Sequence, residues 1–217
     1  MRVYHFIDQK WGLDDIRKRH LKVARVHDLN DPFEFEIATA DREVRKAFRA
    51  VKDWLHESIG ILCFSRDWKN PVQWAHYADR HRGLCLGFDI PDERLDPVIY
   101  SETLTEPSDA LLRKAGDDRW EHFKQIISTK YVHWQYENEV RVYVDLRGEK
   151  PDEEDRHFTN FSDEIALREV IVGHRSTLTR DHLKAALGDQ ASSVSLCKAR
   201  LAFRSYSVVP QLNQSLW

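Results

Sequence analysis

The chain has 217 residues and a formal net charge of −3, from 33 Lys and Arg against 36 Asp and Glu. This near balance argues against a strongly basic protein that binds nucleic acid non-specifically, although a local basic patch is compatible with it. No apolar run approaches the roughly 20 residues that a membrane span needs, and the N-terminus lacks the apolar stretch of a signal peptide. We therefore expect a cytoplasmic protein with no membrane partner.

Cysteine and histidine patterns argue against a metal centre. Cys63, Cys85 and Cys197 each lie in an apolar run and form no Cys-x-x-Cys pair, so we expect small buried thiols in a reducing compartment. The 11 histidines are scattered, without the spacing of zinc ligands. We expect no bound metal.

In chain order, the hydrophobic pattern predicts short strands and helices. Strands are predicted over residues 2–7, 21–26, 60–65, 83–90, 98–100, 130–146, 169–173 and, as one or two strands, 193–209. Helices are predicted over residues 13–20, 41–58, 70–83, 108–128 (one helix or two) and 179–187. Strands occur both in runs and between helices, which favours an α+β fold with a mixed or antiparallel, split sheet and flanking helices. We expect a single domain over residues 1–217, with 210–217 as a loose tail.

Three residues punctuate the region after the 60–65 strand. Asn70 is suited to cap a helix, Pro71 to its first position and Gly83 to its end. Gly87, inside the next strand, predicts a bulge or the close approach of another backbone.

The segment His27-Asp-Leu-Asn-Asp-Pro-Phe-Glu34 has two interpretations. Asn-Asp-Pro initiates turns, because Pro32 fixes its own φ and restricts Asp31. The segment is then a tight turn held by its own side chains. Alternatively it is a ligand-binding loop, in which Asn30 and Asp31 present hydrogen bonds and Phe33 offers a stacking face.

The segment from Lys130 to Leu146 is predicted to be one long strand. Its period-two pattern places an apolar set, including Val140 and Val142, on one face and Glu137, Glu139 and Arg141 on the other. By strand rise, the two glutamates are roughly 7 Å apart. The polar face is either a solvated surface or the wall of a cleft that holds paired carboxylates.

Several motifs of known chemistry are absent. The sequence has no Gly-rich phosphate loop of the dinucleotide or Walker type and no Gly-x-Ser-x-Gly motif. Lys130 with Glu137 and Glu139 suits a carboxylate-dependent nuclease. The paired glutamates alone suit glycosidic chemistry, in which a carboxylate stabilises positive charge on a sugar.

Six segments together resemble a large, mostly bacterial family known as domain of unknown function 2971. They are His27-Asp-Leu-Asn-Asp-Pro-Phe-Glu34, Cys63-Phe-Ser65, Gln73-Trp-Ala-His-Tyr-Ala-Asp79, Gly83-Leu-Cys-Leu-Gly-Phe-Asp89, Trp134-Gln-Tyr-Glu-Asn-Glu-Val-Arg141 and Ile171-Val-Gly173. The order of a His-bearing strand, a Phe-Ser strand end and a Glu-x-Glu segment also resembles ADP-ribosyltransferases. Those enzymes have a split-sheet α+β domain that binds NAD without a Rossmann loop.

The second resemblance implies a role for each candidate residue. His5 would hold the ribose next to nicotinamide, and Ser65 would support the NAD-binding strand. Glu139 would contact the ribose 2′-hydroxyl and stabilise positive charge on the sugar, and Glu137 would orient or deprotonate the acceptor. Ligand-binding roles also fall, by the same resemblance, to Asn30, Asp31, Phe33, Trp74, Tyr77 and Arg141. The chain departs from the commonest pattern in having His at the first position, and Arg66 in place of Thr after Ser65.

Three functions remain open on the sequence. The first is an NAD-dependent ADP-ribosyltransferase or NAD glycohydrolase, by analogy a bacterial toxin or phage-defence effector. The second is a non-enzymatic module that binds a nucleotide or a partner through the same fold. The third is a carboxylate-dependent hydrolase or nuclease. NAD or another nucleotide is the expected small-molecule ligand, and the sequence determines neither the acceptor nor the oligomeric state.

Overall fold

The computed structural model describes residues 1–107 and 123–217. The strands in this part of the chain are β1 (Arg2–Ile7), β2 (His20–Val23), β3 (Ile59–Ser65), β4 (Leu84–Asp89), β5 (Asp96–Pro97), β6 (Ile99–Ser101), β7 (Thr129–Tyr131), β8 (Glu139–Asp145), β9 (His157–Asn160), β10 (Ala166–Val172), β11 (Ser195–Leu201) and β12 (Val208–Pro210). The helices are α1 (Gln9–Lys18), α2 (Arg42–Ser58), α3 (Pro71–Tyr77) and α4 (Arg180–Leu187). Residues 123–127 are also helical.

An eight-stranded sheet organises the fold, in the order β12-β11-β10-β4-β1-β3-β8-β5. Its neighbours pair antiparallel except β10 and β11, which are parallel. Two small sheets, β2-β9 and β6-β7, accompany it. The predicted α+β fold with a mixed, largely antiparallel sheet is therefore confirmed.

The two faces of the large sheet carry different apolar clusters. One face holds the main core, in which strand residues such as Leu86 and Val142 pack with α1 and α4. On the other face, α2 covers β3 and β8 through Phe48 and Leu55, whereas α3 covers β1 and β4 through Trp74. A strip of sheet between these two clusters is left for polar side chains.

The middle of the sheet is where β1 and β3 meet, and they pair over a short stretch. Their register is the single pair Tyr4 and Ser65, whereas β1 and β4 pair at six positions. The Nδ1 atom of His5 lies 3.0 Å from the carbonyl oxygen of Cys63, a side-chain contact across the same junction. The two strands therefore leave room between them next to Ser65.

The predicted strand over residues 130–146 is wrong in its first half. After β7, residues Val132–Glu137 form a 3₁₀ helix, and Asn138 adopts a left-handed conformation with φ of 46° before β8 begins. Because residues 132–137 are helical, their side chains do not alternate between two faces, and the predicted alternation holds only within β8. There Val140 and Val142 enter the main core while Arg141 faces the opposite side, as predicted.

Helix ends differ from prediction for local reasons. The Asp8 side chain accepts a hydrogen bond from the Trp11 amide at 2.9 Å, so α1 begins at Gln9 rather than near residue 13. Asn70 caps α3 as predicted, but α3 ends at Tyr77 because Asp79, Arg80 and His81 all have positive φ.

Two glycines are required by close packing. A Cβ atom on Gly83 would lie 2.2 Å from the carbonyl oxygen of Ile7, so this residue permits strand contact and does not end α3. A Cβ atom on Gly87 would lie 3.0 Å from the Cβ of Glu169, and the irregularity predicted for the strand of Gly87 lies instead in its neighbour β10, as a register shift between Leu167 and Glu169.

The chain ends are partly accounted for. The predicted helix over residues 108–128 falls mostly outside the described residues. In the segment predicted as a loose tail, Pro210 pairs in β12, and the indole of Trp217 donates a hydrogen bond to the Leu178 carbonyl at 2.8 Å. Among the described residues, we find no helix with the length and apolar character that crossing a membrane requires.

Asn138 provides a test of the turn that separates the 3₁₀ helix from β8. We expect Asn138→Val to lower the free energy of unfolding by about 1–2 kcal/mol, because a β-branched residue is strained in the left-handed region. Asn138→Gly is the matched control and should change it by less than about 0.5 kcal/mol, because glycine adopts this φ freely. Urea denaturation measures both; equal stability of the two variants would contradict the observed turn.

Candidate functional site

A cavity of about 120 Å³ opens where β1 and β3 diverge. It lies between the two apolar clusters on the face covered by α2 and α3. Its polar lining comes from elements far apart in sequence, namely His5, Asn30, Glu34, Cys63, Ser65, Gln73, Tyr77, Lys130, Glu137 and Glu139. The fold therefore assembles this site from six separate segments of the chain.

The ammonium group of Lys130 forms an ion pair with each of the three glutamates of the cavity. Its Nζ atom lies 2.6 Å from Glu137, 3.1 Å from Glu139 and 3.1 Å from Glu34. All four side chains are buried. Burial acts to lower the pKa of Lys130, but the three carboxylates outweigh it and raise that pKa, so the ammonium stays charged.

Arg141 is the second cation of this cluster. Its Nε atom donates a hydrogen bond to Glu139 at 2.7 Å, its Nη2 atom donates to Glu34, and its Nη1 atom donates to the Ile127 carbonyl at 3.2 Å. The side chain is 1% exposed and is not among the groups that line the cavity. Arg141 therefore orients the glutamates from behind, rather than facing a ligand as the sequence predicted.

The charges of the cluster do not cancel. Glu34, Glu137 and Glu139 carry three negative charges when ionised, against two positive charges from Lys130 and Arg141. One uncompensated negative charge in a buried setting attracts positive charge more strongly than the same charge would in water. The cavity wall is therefore suited to a cationic or electron-poor group.

The two glutamates of the predicted pair have opposite pKa shifts. Burial raises the pKa of Glu137, and Lys130 only partly opposes this. Burial would also raise the pKa of Glu139, but Arg141 and Lys130 outweigh it and lower that pKa to about 2. Glu139 is thus a fixed anion, whereas Glu137 is the group suited to exchanging a proton.

Tyr77 and Asn30 cover Glu137. The Tyr77 hydroxyl donates a hydrogen bond to the Glu137 carboxylate and accepts one from the Asn30 amide at 2.8 Å. Burial, followed by the hydrogen bond to Glu137, raises the pKa of Tyr77, so the phenol remains protonated. These two hydrogen bonds connect the Asn-Asp-Pro loop to Glu137.

Gln73 and Ser65 hold the 3₁₀ segment in place. The Gln73 amide donates hydrogen bonds to the Tyr136 carbonyl at 3.0 Å, to the Glu137 carbonyl at 3.2 Å and to the Ser65 hydroxyl at 3.1 Å. The Ser65 hydroxyl in turn donates to the Asp67 carbonyl at 2.8 Å. Ser65 therefore stabilises the end of β3; its predicted role at an NAD-binding strand stays a prediction.

His5 reaches the cavity in its neutral form. Burial lowers its pKa. Because Nδ1 is next to the Cys63 carbonyl, the proton belongs on that nitrogen and Nε2 keeps its lone pair. His5 can therefore accept a hydrogen bond from a ligand hydroxyl.

Three other predicted ligand-binding residues lie outside this cavity. Trp74 is fully buried and donates its indole hydrogen to the Trp68 carbonyl at 2.6 Å, so it has no free face for stacking. Asp31 is 4% exposed and accepts a hydrogen bond from the Phe33 amide at 2.9 Å. Phe33 is 60% exposed and lines a neighbouring cavity of about 400 Å³, which shares Lys130 with the first.

The Asn-Asp-Pro loop combines its two predicted interpretations. Asp31 stabilises the turn, as in the first one, and the Asn30 side chain lines the cavity, as in the second. The turn also delivers Glu34 to Lys130 and Arg141.

Glu34, Lys130 and Gln73 are central to the site but were not among the predicted site residues. Glu34 is the last residue of the loop motif, and Gln73 is the first residue of another quoted motif, so both carried a weak signal. Lys130 was considered only for a nuclease. Its burial, 5% exposed, depends on tertiary contacts and has no local pattern.

The cluster is not arranged as a metal site. Among residues 1–107 and 123–217, no group of three or more His, Cys, Asp or Glu side chains is placed to hold a metal ion. The Lys130 ammonium occupies the position between the three carboxylates that a cation would take. Cys63 is not an activated nucleophile either, because burial and then Glu139 raise its pKa well above the usual value.

Removing Arg141 tests its structural role. We expect Arg141→Met to lower the free energy of unfolding by about 3–5 kcal/mol, because Glu34 and Glu139 would lose a buried partner. Arg147→Met is the matched control: Arg147 pairs with Asp145 at the surface and its loss should leave the urea midpoint unchanged. Similar losses in both variants would contradict the assigned role.

The pH dependence of stability tests the charge on Glu139. Its pKa is 4.5 in the unfolded chain and about 2 in the fold, so its ionised form stabilises the fold above pH 4.5. That contribution, about 3 kcal/mol, is lost as the pH falls through 2. We expect unfolding free energies of Glu139→Gln to vary less between pH 4.5 and 2 than those of wild type and of the surface control Glu153→Gln. Parallel profiles for all three would show that Glu139 is not held as an anion.

Comparison with known proteins gives one family. No curated protein and no solved structure matches the chain. Residues 73–142, which are 70 of the 217, match the model of the family described as Protein of unknown function (DUF2971). This range includes Gln73, Tyr77, Lys130, Glu137 and Glu139 of the cavity, and so supports the relationship to family DUF2971 that the sequence motifs predicted.

Proposed function

We propose that this protein is an ADP-ribosyltransferase-like enzyme that breaks the nicotinamide–ribose bond of NAD and transfers the ADP-ribosyl group to an acceptor or to water. The observation that carries the proposal is the convergence of His5, Ser65 and Glu139 from three neighbouring strands at one cavity. These are the three positions that the resemblance to ADP-ribosyltransferases singles out. Their order in the sheet, β1-β3-β8, makes the convergence a property of the fold.

Glu139 has the charge that this reaction requires. Loss of nicotinamide develops positive charge on the ribose, and a fixed carboxylate next to it lowers the barrier electrostatically. Glu139 is 4% exposed and is kept ionised by Arg141 and Lys130. Because the backbone and two cations hold the carboxylate, little reorganisation is needed during the reaction.

Glu137 has the complementary property. A carboxyl group whose pKa is raised by burial takes up and releases a proton nearer to neutral pH than a solvated one does. We assign it to orienting or deprotonating the acceptor. The Tyr77 hydroxyl fixes the carboxyl group for this task.

The dimensions of the cavity limit what enters it. A volume of about 120 Å³ is well below the roughly 300–1,000 Å³ of a typical ligand pocket, so the cavity holds part of a ligand and not a dinucleotide. We therefore assign the cavity to the reacting end of NAD, with His5 and Asn30 as hydrogen-bonding partners. The other part of the dinucleotide would lie outside the cavity.

The competing functions fit the geometry less well. A metal-dependent nuclease needs carboxylates open to a cation, and here Lys130 lies between them. A module that only binds a nucleotide has no need of two adjacent glutamates with opposite pKa shifts. By analogy with the same family of enzymes, we propose that the protein acts in the bacterial cytoplasm as a toxin or phage-defence effector.

Titration calorimetry with NAD, combined with measurement of nicotinamide release, tests the proposal. We expect wild type to bind NAD and to release nicotinamide. Glu139→Gln should keep the binding and lose 10²- to 10³-fold in rate, as when one electrostatic stabiliser is removed. Glu169→Gln is the matched control, because this half-buried glutamate pairs with Arg2 outside the cavity, and its rate should equal that of wild type.

Folding of each variant is checked by circular dichroism. If Glu139→Gln does not fold, Glu137→Gln replaces it. The ion pairs of Arg141 are with Glu34 and Glu139, so a substitution at Glu137 leaves both of them intact. A well-folded wild type that binds neither NAD nor ADP-ribose would overturn the proposal and favour a partner-binding module. Hydrolysis of nucleic acid that needs a divalent metal and not NAD would favour a nuclease.

A further inference from the structure

The C-terminal strand pair lies at the end of the large sheet opposite β5. β11 and β12 are its last two strands, and β12 is four strand positions away from β1. At about 4.8 Å per strand, this places β12 roughly 19 Å from the cavity described above. The region is therefore spatially separate from that cavity.

The connection between β11 and β12 exposes aromatic side chains. Phe203 is 90% exposed and Tyr206 is fully exposed, and Leu212 just beyond β12 is 80% exposed. Single exposed apolar residues are common, but several together mark an interaction surface. None of the three belongs to an apolar cluster of the fold.

The same region is the basic part of an acidic chain. Residues 190–217 contain Lys198, Arg200 and Arg204 and no Asp or Glu, whereas the remaining residues hold 30 Lys and Arg against 36 Asp and Glu. The local side-chain charge is +3 in a protein of net charge −3. A partner drawn here by electrostatics is therefore an anion.

Side chains of this region surround a shallow, open hollow in the surface. Arg200, Phe203, Arg204 and Leu212 line this hollow, of about 580 Å³, together with Val209 and Pro210 of β12. The Arg200 guanidinium lies 4.6 Å from the centre of the Phe203 ring, and in residues 1–107 and 123–217 neither arginine is ion-paired. Lys198 is not part of the hollow, because its ammonium donates a hydrogen bond to the Ser176 carbonyl.

We propose that this hollow, lined by Arg200, Phe203, Arg204 and Leu212, binds single-stranded nucleic acid. Exposed aromatic rings stack on unpaired bases of any sequence, and neighbouring arginines neutralise the phosphates between them. Unpaired bases are needed, because the faces of paired bases are not accessible in a duplex.

Fluorescence anisotropy with a labelled 15-nucleotide oligo(dT) strand tests this inference. We expect saturable binding by wild type that weakens as salt rises, with a slope of log K against log salt of about −1.4 for two phosphate contacts. Oligo(U) of the same length shows whether RNA and DNA bind alike. A blunt duplex of equal length should bind at least about tenfold more weakly, because its bases cannot stack on the rings.

Two variants separate stacking from charge. Phe203→Ala with Tyr206→Ala should weaken binding of the strand about tenfold or more and leave the salt slope unchanged. Arg200→Gln with Arg204→Gln should flatten the salt slope. The controls are Trp54→Ala, which removes a 55% exposed aromatic ring from α2, and Arg147→Gln, which removes a surface arginine; both should bind like wild type.

Three results would overturn the inference. The first is no binding of either oligonucleotide by a well-folded protein. The second is equal affinity for strand and duplex, which excludes stacking. The third is binding to phosphatidylserine vesicles without binding to oligonucleotides, which would assign the hollow to an anionic lipid surface. Because the aromatic rings are exposed, their replacement should not change the thermal midpoint of unfolding.

Discussion

The balance of charge around Lys130 and Arg141 is the constraint on which this structure depends. Three buried carboxylates that converge on one point repel one another, and nearby cations must offset that repulsion. Two cations on neighbouring elements compensate them incompletely. Buried ion pairs of this kind add little net stability compared with an apolar core, but the loss of one member leaves a costly unpaired charge. The arrangement therefore ties several distant segments together.

The fold explains how one chain maintains such a cluster. Apolar residues of β8 enter the main core, and its alternate residues, Glu139 and Arg141, point to the opposite face. On that face, the apolar clusters under α2 and under α3 leave a strip of the sheet uncovered between them, and β1 diverges from β3 at this strip. The polar side chains are thus shielded from bulk water by two apolar clusters without being part of either. A small cavity with a strong local field is the result.

The opposite shifts of Glu137 and Glu139 connect this architecture to chemistry. The two residues are separated by one left-handed residue, yet only Glu139 contacts Arg141. Glu139 is held as an anion, whereas the pKa of Glu137 is raised toward neutral pH. Enzymes that combine electrostatic and acid–base catalysis use two carboxyl groups in these two states.

The basic aromatic hollow at β11 and β12 differs from the cavity, because its rings are exposed and, within the described part of the chain, its arginines are not ion-paired. The same sheet therefore carries a buried charged cavity in its middle and an exposed basic surface at one end.

The fold class, most strands and helices, the core face of β8 and the motifs around the cavity could be predicted from the sequence, because alternation and capping are local properties. Which charges meet could not be predicted, because it depends on contacts between distant segments. Glu34 and Arg141 are 107 residues apart, and no periodicity relates them. The same reason accounts for the errors. Trp74 was expected at a ligand and is in the core, and Lys130, considered only for a nuclease, is the central cation of the site. The 3₁₀ segment before β8 was missed because Gln73, from a distant helix, holds its carbonyls in place.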